Sequence, residues 1–308
     1  MNKILVTPKI NPDLDGVACA YAYSKLLNKI DSANKYTAGI YGKAQNEAVF
    51  LLDKFKIGDV LLFNPVDISF DKFVIVDASD TKGMPEIIRP QDVKEVVDHR
   101  EINNAGEIFR QAKINIELLG AAATLIFEKF QEVRESIDFD SALLLYGAIF
   151  SNTLNLQTNV DSRDLTAITA LEEILKTRIS EPREIINEMF EYKTKYIEEN
   201  LEECIRNDFK HFDDSLGIAQ LEGFDMLKVI TEHYDQIKNI LDSLKNESKL
   251  ERIFLTAADI KNGHNIFLAI GDEMAKILSN KMNIEFDTKG MAKSGKLYLR
   301  KQILPMIK

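Results

Sequence analysis

The chain has 308 residues, 45% hydrophobic and 29% charged, which is ordinary for a globular protein and long enough for two domains. Its 49 acidic and 39 basic residues leave a formal charge of −10, which argues against nucleic acid or an anionic membrane held through the global field. Cys19 and Cys204 lie far apart without metal-type spacing, no apolar run is long enough for a bilayer, and no N-terminal signal pattern is present, so a cytoplasmic protein with Cys19 as a core thiol is expected.

In chain order, KILVTP (3–8) reads as a strand. It stops at a turn containing Asn11, Pro12, Asp13, Leu14 and Asp15, and an Ala-rich amphipathic helix follows over 16–29. A strand at 36–41, a helix at 44–55 and a short strand at 60–63 come next. KFVIVDASD (72–80) and VKEVVDHRE (93–101) are then β-branched runs that each reach an aspartate, Asp77 and Asp98. Apolar strands separated by helices predict a parallel sheet covered on both faces.

Such strands share one carboxyl edge. Asp13 with Asp15, Asp77 with Asp80, and Asp98 with His99 are therefore expected to converge in the crevice where open α/β sheets bind ligands. Converging carboxylates are costly unless a cation lies between them. Taken alone, the first segment also permits a plainer assignment, with Asp15 capping the helix and Asp13 in a turn. Three acidic strand ends in one sheet favour a metal site.

From Gly120 onward the pattern turns helical, over 120–133, 141–156 and 161–176. The highly charged stretch 181–200 is the expected hinge between domains. The last third mixes types: strands at 216–223, 252–260 and 265–271, helices at 226–244 and 273–283, and a basic closing strand at 297–307. His211, His233 and His264 lack carboxylate partners at motif spacing and read as solvated histidines.

INPDLDGVACAYAY, VIVDASD, VVDHRE, GAAATLIFEKF and AIFSNTL occur in the order of the DHH phosphoesterase superfamily, and the whole chain resembles its manganese-dependent inorganic pyrophosphatases, with related exopolyphosphatases close by. The resemblance implies a two-domain α/β fold: a parallel-sheet domain over 1–188, a smaller mixed α/β domain over 189–308, and the site in the cleft between them. It also implies metal-activated attack of water on phosphorus. The family's first motif, His-x-Asn-Pro-Asp-x-Asp, here begins with Lys9, while Asp13 and Asp15 match. Asp77 matches a metal-bridging carboxylate. Asp98 and His99 match the signature motif, whose second histidine is Arg100, and a further bridging aspartate falls on Asn152. Lys210, Arg300 and Lys301 match phosphate-binding positions.

The resemblance thus gives Asp13, Asp15, Asp77, His99 and Asn152 as metal-site positions. Candidate catalytic residues are Asp77, His99 and Lys9, and candidate substrate-binding residues are Arg100, Lys210, Arg300 and Lys301. Three metal-site aspartates and one lysine carry the charge of one divalent ion, so one firmly held metal, manganese by resemblance, is expected, with the Lys9 ammonium near the place of a second. The expected function is hydrolysis of a phosphoanhydride or phosphoester, with pyrophosphate or a short polyphosphate as the guide substrate. The alternative is a non-catalytic protein that binds a phosphate ligand. The expected partner is a phosphate-containing small molecule, and family members often form homodimers.

Overall fold

The computed structural model describes residues 1–58, 61–65, 69–101, 104–212 and 215–307. The chain divides into two compact units, Met1–Met189 and Phe190–Lys308.

The first unit is built on strands β1 (Asn2–Thr7), β2 (Asn34–Ile40), β3 (Leu61–Phe63), β4 (Lys72–Val76), β5 (Val93–Asp98) and β6 (Lys113–Ile116). They form one sheet in the order β3-β2-β1-β4-β5-β6, with every neighbouring pair parallel. The chain first winds outward from β1 to β3 and then restarts at β4 on the other side of β1. The switch point of the sheet therefore lies between β1 and β4, where a crevice opens at the carboxyl ends. Ile4, Leu5 and Val6 are all buried, as a strand covered on both faces requires. Val60, the first residue of the predicted short strand, lies outside the described residues.

The helices of this unit are α1 (Leu14–Ile30), α2 (Asn46–Phe55), α3 (Ala105–Ile108), α4 (Ala122–Glu132), α5 (Phe139–Asn152), α6 (Ser162–Leu175) and α7 (Pro182–Glu199). Asp13 caps α1, accepting from the Gly16 N–H at 3.1 Å. The cap therefore belongs to Asp13, and Asp15 is left for another task. Small residues Ala18, Ala20 and Ala22 let α1 lie buried among α4, α5 and β2. Asp161 caps α6 in a capping box with Asp164. The charged stretch expected as a hinge is the helix α7, and the division between the units falls inside it.

The second unit holds α8 (Leu201–Asn207), β7 (Phe209–Phe212), β8 (Leu216–Gly223), α9 (Met226–Glu232), α10 (Tyr234–Glu247), β9 (Arg252–Asp259), β10 (His264–Ala269), α11 (Asp272–Met282), β11 (Met291–Lys293) and α12 (Arg300–Ile307). Its sheet runs β11-β10-β9-β8-β7, with only β8 and β9 parallel. Alternation along β9 sends Ile253, Leu255 and Ala257 into one core with α8, α9 and α10, and Phe254 into another with α11 and α12.

Three expectations are corrected here. The helix foreseen over 226–244 is broken at His233, whose N–H closes the end of α9 on the Val229 carbonyl at 3.1 Å. The expected closing strand is the helix α12, because Ile303 and Ile307 bury one face at helical spacing. Gln302 caps its start by accepting from the Leu299 N–H at 2.8 Å. His264 is buried as the first residue of β10 instead of solvated. Among the described residues, no helix is long and apolar enough to cross a membrane.

Candidate metal centre

Three strand ends of the first unit deliver its acidic groups to one place. Asp77 follows β4 directly in a left-handed conformation, φ 51°, and its N–H donates to the Val97 carbonyl at 2.9 Å. An aspartate in that region costs backbone strain and turns its side chain out of the strand register. Asp98 ends β5, fully buried, and accepts from the His99 N–H at 2.9 Å. Between β1 and α1, the loop that carries Lys9 is pinned twice, by Ile10 N–H to the Gly83 carbonyl at 2.7 Å and by Asn11 N–H to the Tyr41 carbonyl at 2.9 Å. Gly16 allows this loop to fold back on α1, since a Cβ there would stand 2.7 Å from Cβ of Pro8.

Asp15 sits in the first turn of α1, buried, and reaches the N-terminus of α4. Its Oδ2 accepts from the Ala122 N–H at 2.7 Å and its Oδ1 from the Ala123 N–H at 2.8 Å. Asn152, the last residue of α5, donates its amide to Asp15 Oδ2 at 2.7 Å and lies 3.2 Å from Nε2 of His99. The other ring nitrogen, Nδ1, is 3.0 Å from the Leu119 carbonyl, which can only accept. Nδ1 therefore carries the proton in the neutral ring, and Nε2 presents a lone pair towards Asp15 and Asp77, at 3.9 and 3.6 Å. The Leu119 loop is itself held by buried Asp164, which accepts from the Gly120 N–H at 2.9 Å.

Asp15, Asp77 and His99 offer three ligand atoms within 4.8 Å of one another. Asp77 Oδ2 and Asp98 Oδ2 are buried with no hydrogen-bond partner among the described residues. Burial, followed by the neighbouring Asp13 and Asp15 charges, holds the Asp77 carboxyl well above the ordinary range against the pull of Lys9 and Arg100. Burial also raises Asp15, against the opposing pull of His99. Burial works against the Asp13 charge too, but Lys9 and the Gly16 N–H outweigh it and keep its carboxyl below the ordinary range. A site that penalises its own carboxylates and leaves a buried oxygen unpaired is suited to a divalent cation held by mixed nitrogen and oxygen ligands.

Two basic side chains flank the cluster. Lys9 Nζ lies 3.5 Å from Asp13 Oδ2 and 4.0 Å from Asp77 Oδ2. Arg100 donates from Nη2 to the Asp77 carbonyl at 3.1 Å and stands 3.8 Å from Asp77 Oδ1 and 3.7 Å from Asp98 Oδ1. Lys9, Asp13, Asp15, Asp77, His99, Arg100 and Asn152 thus come together at one sheet edge.

Lys210, Arg300 and Lys301 belong to the second unit. Lys210 is exposed on β7 and Lys301 is exposed in the first turn of α12. Arg300 is buried, with its guanidinium on the Asp208 carbonyl at 2.6 Å, the Ile218 carbonyl at 3.3 Å and the Asp208 carboxylate. It therefore fixes the start of the strand that carries Lys210. Sequence reasoning gave no part to the Leu119 carbonyl, the α4 N-terminus or Asp164. The GAAATL segment was the available signal, since small residues at a helix start let a carboxylate approach the free N–H groups.

Fold and site define a two-domain α/β protein whose doubly wound sheet carries a carboxylate and imidazole cluster at its switch point. A model of the DHH family N-terminal domain matches residues 3–149, and a DHHA2 domain model matches residues 187–308. The chain belongs to the DHH family.

The manganese-dependent inorganic pyrophosphatase of Bacillus subtilis (strain 168) is 25% identical over 311 residues, spanning 100% of this chain and 98% of the relative. A crystal structure of a "putative family II inorganic pyrophosphatase" from Methanococcus jannaschii superposes with a TM-score of 0.68 at 20% identity, covering 99% of this chain and 98% of that one. An exopolyphosphatase-related protein from Bacteroides fragilis does so with a TM-score of 0.53 at 11% identity, covering 99% and 90%. These two structures share the fold.

Proposed function

We propose that the chain is a metal-dependent phosphohydrolase that cleaves a phosphoanhydride, with pyrophosphate the first substrate to test. The observation that carries this reading is the trio of buried Asp15 and Asp77 with partly exposed His99, whose ligand atoms lie within 4.8 Å beside the unpaired oxygen of Asp77. The 25% identity to a manganese-dependent inorganic pyrophosphatase supports both the reaction class and the choice of metal.

Asp15, Asp77 and His99 would hold the ion, and Asn152 would orient two of these ligands through its amide. A divalent ion in such a setting supplies a nucleophilic water at neutral pH and polarises a phosphoryl oxygen. The rest of the work falls to fixed side chains. His99, held through Nδ1 by the Leu119 carbonyl, has its ring oriented with Nε2 towards the ligand cluster. Arg100, its position set by the Asp77 carbonyl, offers a permanent cation to a phosphoryl oxygen. On the second unit, Lys210 and Lys301 are exposed cations able to meet a phosphate group, and Arg300 supports Lys210 through Asp208.

The test is phosphate release from pyrophosphate, tripolyphosphate and nucleoside triphosphates with Mn2+, comparing wild type with Asp77→Asn. Release that requires Mn2+ and falls by at least about a hundredfold in the variant supports the reading. Equal rates in both proteins would end it.

A second reading, a non-catalytic phosphate-binding protein, is favoured by one observation. The Asn152 amide donates to Asp15 and faces His99 Nε2, taking up lone pairs that an ion would need. On that reading pyrophosphate raises the melting temperature without Mn2+ and is recovered uncleaved.

A further inference from the structure

Asp77 turns its two oxygens towards two different sides of the site. Oδ1 faces His99 Nε2 at 3.6 Å and Arg100 at 3.8 Å, while Oδ2 faces the Lys9 ammonium at 4.0 Å. Asp13, which lies outside the ligand trio, completes the Lys9 side, its Oδ2 3.5 Å from the ammonium. We propose that Lys9 is the built-in second cation of this site: its ammonium occupies the gap between Asp13 and Asp77, limits the sheet edge to one divalent ion per chain, and meets a substrate phosphoryl oxygen directly. The inference rests on the reading of Asp15, Asp77 and His99 as an ion site.

Charge and geometry carry it. Four carboxylates converge here, those of Asp13, Asp15, Asp77 and Asp98, and Lys9 and Arg100 answer two of them. The two negative charges left over are the charge of one divalent ion. A second ion between Asp13 and Asp77 would stand where the ammonium stands, and like charges at contact distance exclude one another. The ammonium has no lone pair to offer a metal, so it cannot join the coordination and can only replace an ion.

Its position is fixed by the chain. The Lys9 loop hangs between the Gly83 and Tyr41 carbonyls, and its side chain is 30% exposed, enough to touch a ligand. A tethered cation differs from an exchangeable one in two ways: chelators cannot remove it, and its three N–H groups donate hydrogen bonds to phosphoryl oxygens.

The experiment uses the full chain equilibrated with increasing Mn2+. Bound metal is read by elemental analysis, and the electron paramagnetic resonance spectrum separates isolated from spin-coupled Mn2+. Wild type is expected to saturate at one ion per chain with an isolated-ion spectrum. Lys9→His, which exchanges the ammonium for a neutral ligand, is expected to take two ions and show a coupled spectrum. Lys9→Met, with neither charge nor ligand, is expected to lose about a hundredfold in kcat while its first ion binds at least as tightly as in wild type. Two ions in wild type would overturn the role of Lys9 and leave the ion site standing. So would one ion in Lys9→His together with unchanged kcat in Lys9→Met. No ion in wild type would remove the ion site, and this inference with it.

Discussion

The amide nitrogen of Asn152 lies 2.7 Å from Oδ2 of Asp15, tying the last residue of α5 to the first turn of α1 across the ligand cluster. In the metal-free protein this amide neutralises none of the surrounding charge, yet it supplies hydrogen bonds to acceptors that would otherwise face one another. Asn152→Asp replaces the donor with a carboxylate, a fourth ligand-type group beside Asp15, Asp77 and His99. The metal-free variant is expected to lose about 1–3 kcal/mol of stability, while its Mn2+ affinity rises by about tenfold or more. Thermal unfolding with and without Mn2+, and calorimetric titration, measure both effects. An unchanged affinity would place Asn152 outside the ion's reach.

Asp77 gives a pH dependence of known sign. Its carboxyl is held well above the ordinary range by burial and by Asp13 and Asp15. A carboxyl raised in the folded state contributes stability that is full below its unfolded pKa and is lost as pH rises through the folded one. Asp13, held low, does the opposite: its contribution is present above the unfolded value and is lost as pH falls through the folded one. Metal-free protein should therefore lose the Asp77 contribution as pH climbs above the ordinary carboxylate range, whereas Mn2+, which displaces the proton, should stabilise more at higher pH. Melting curves from about pH 5 to about pH 8 in chelator and in Mn2+ should diverge, and Asp77→Asn should flatten the chelator curve. Parallel curves in wild type would contradict the assignment.

Gly16 offers a test of the loop. A Cβ there would meet Cβ of Pro8 at 2.7 Å and Cβ of Pro12 at 3.2 Å, so Gly16→Ala must push the Lys9 loop away from α1. The expected cost is about 1–3 kcal/mol, accompanied by weaker Mn2+ binding and retained secondary structure. Chemical denaturation and metal titration on the same preparation check both. A loop that tolerates alanine with unchanged metal affinity is not set by this contact.

Arg300 and its neighbour Lys301 should separate cleanly. The Arg300 side chain is 9% exposed and holds two carbonyls and the half-exposed Asp208 carboxylate, so Arg300→Met should cost about 1–3 kcal/mol after allowance for solvent around Asp208. Lys301→Met, at an exposed position, should stay within about 0.5 kcal/mol of wild type. Any increase in KM for pyrophosphate in Lys301→Met would then report lost substrate contact and not lost structure. Urea melts and steady-state kinetics on the two variants separate the cases.

The parallel sheet and the gathering of acids at its carboxyl edge were legible because β4 and β5 end in β-branched stretches, Val74–Val76 and Val96–Val97, that reach Asp77 and Asp98. Strands β6 (KINI) and β7 (FKHF) escaped notice: four residues with charged or half-buried side chains give no clear period, and only their sheet neighbours make them strands. The end of the chain was misjudged because LYLRKQILPMI satisfies a two-residue alternation as well as a helical one, and only Ile303 and Ile307 against α11 decide between them. Within the site, residue identities placed Asp13 and Asp15 together but could not divide their tasks. That division depends on α4 arriving from a distant part of the chain with free N–H groups for Asp15. His264 looked solvated because its cover, the β9–β10 hairpin, is a pairing that adjacent sequence does not announce.

The most direct test of the central claim is anomalous diffraction at the manganese edge from crystals grown with Mn2+. A single strong peak per chain is expected within coordination distance of Asp15, Asp77 and His99, and none between Asp13 and Asp77 where Lys9 lies. No peak at that trio, or a peak only elsewhere in the molecule, would contradict it.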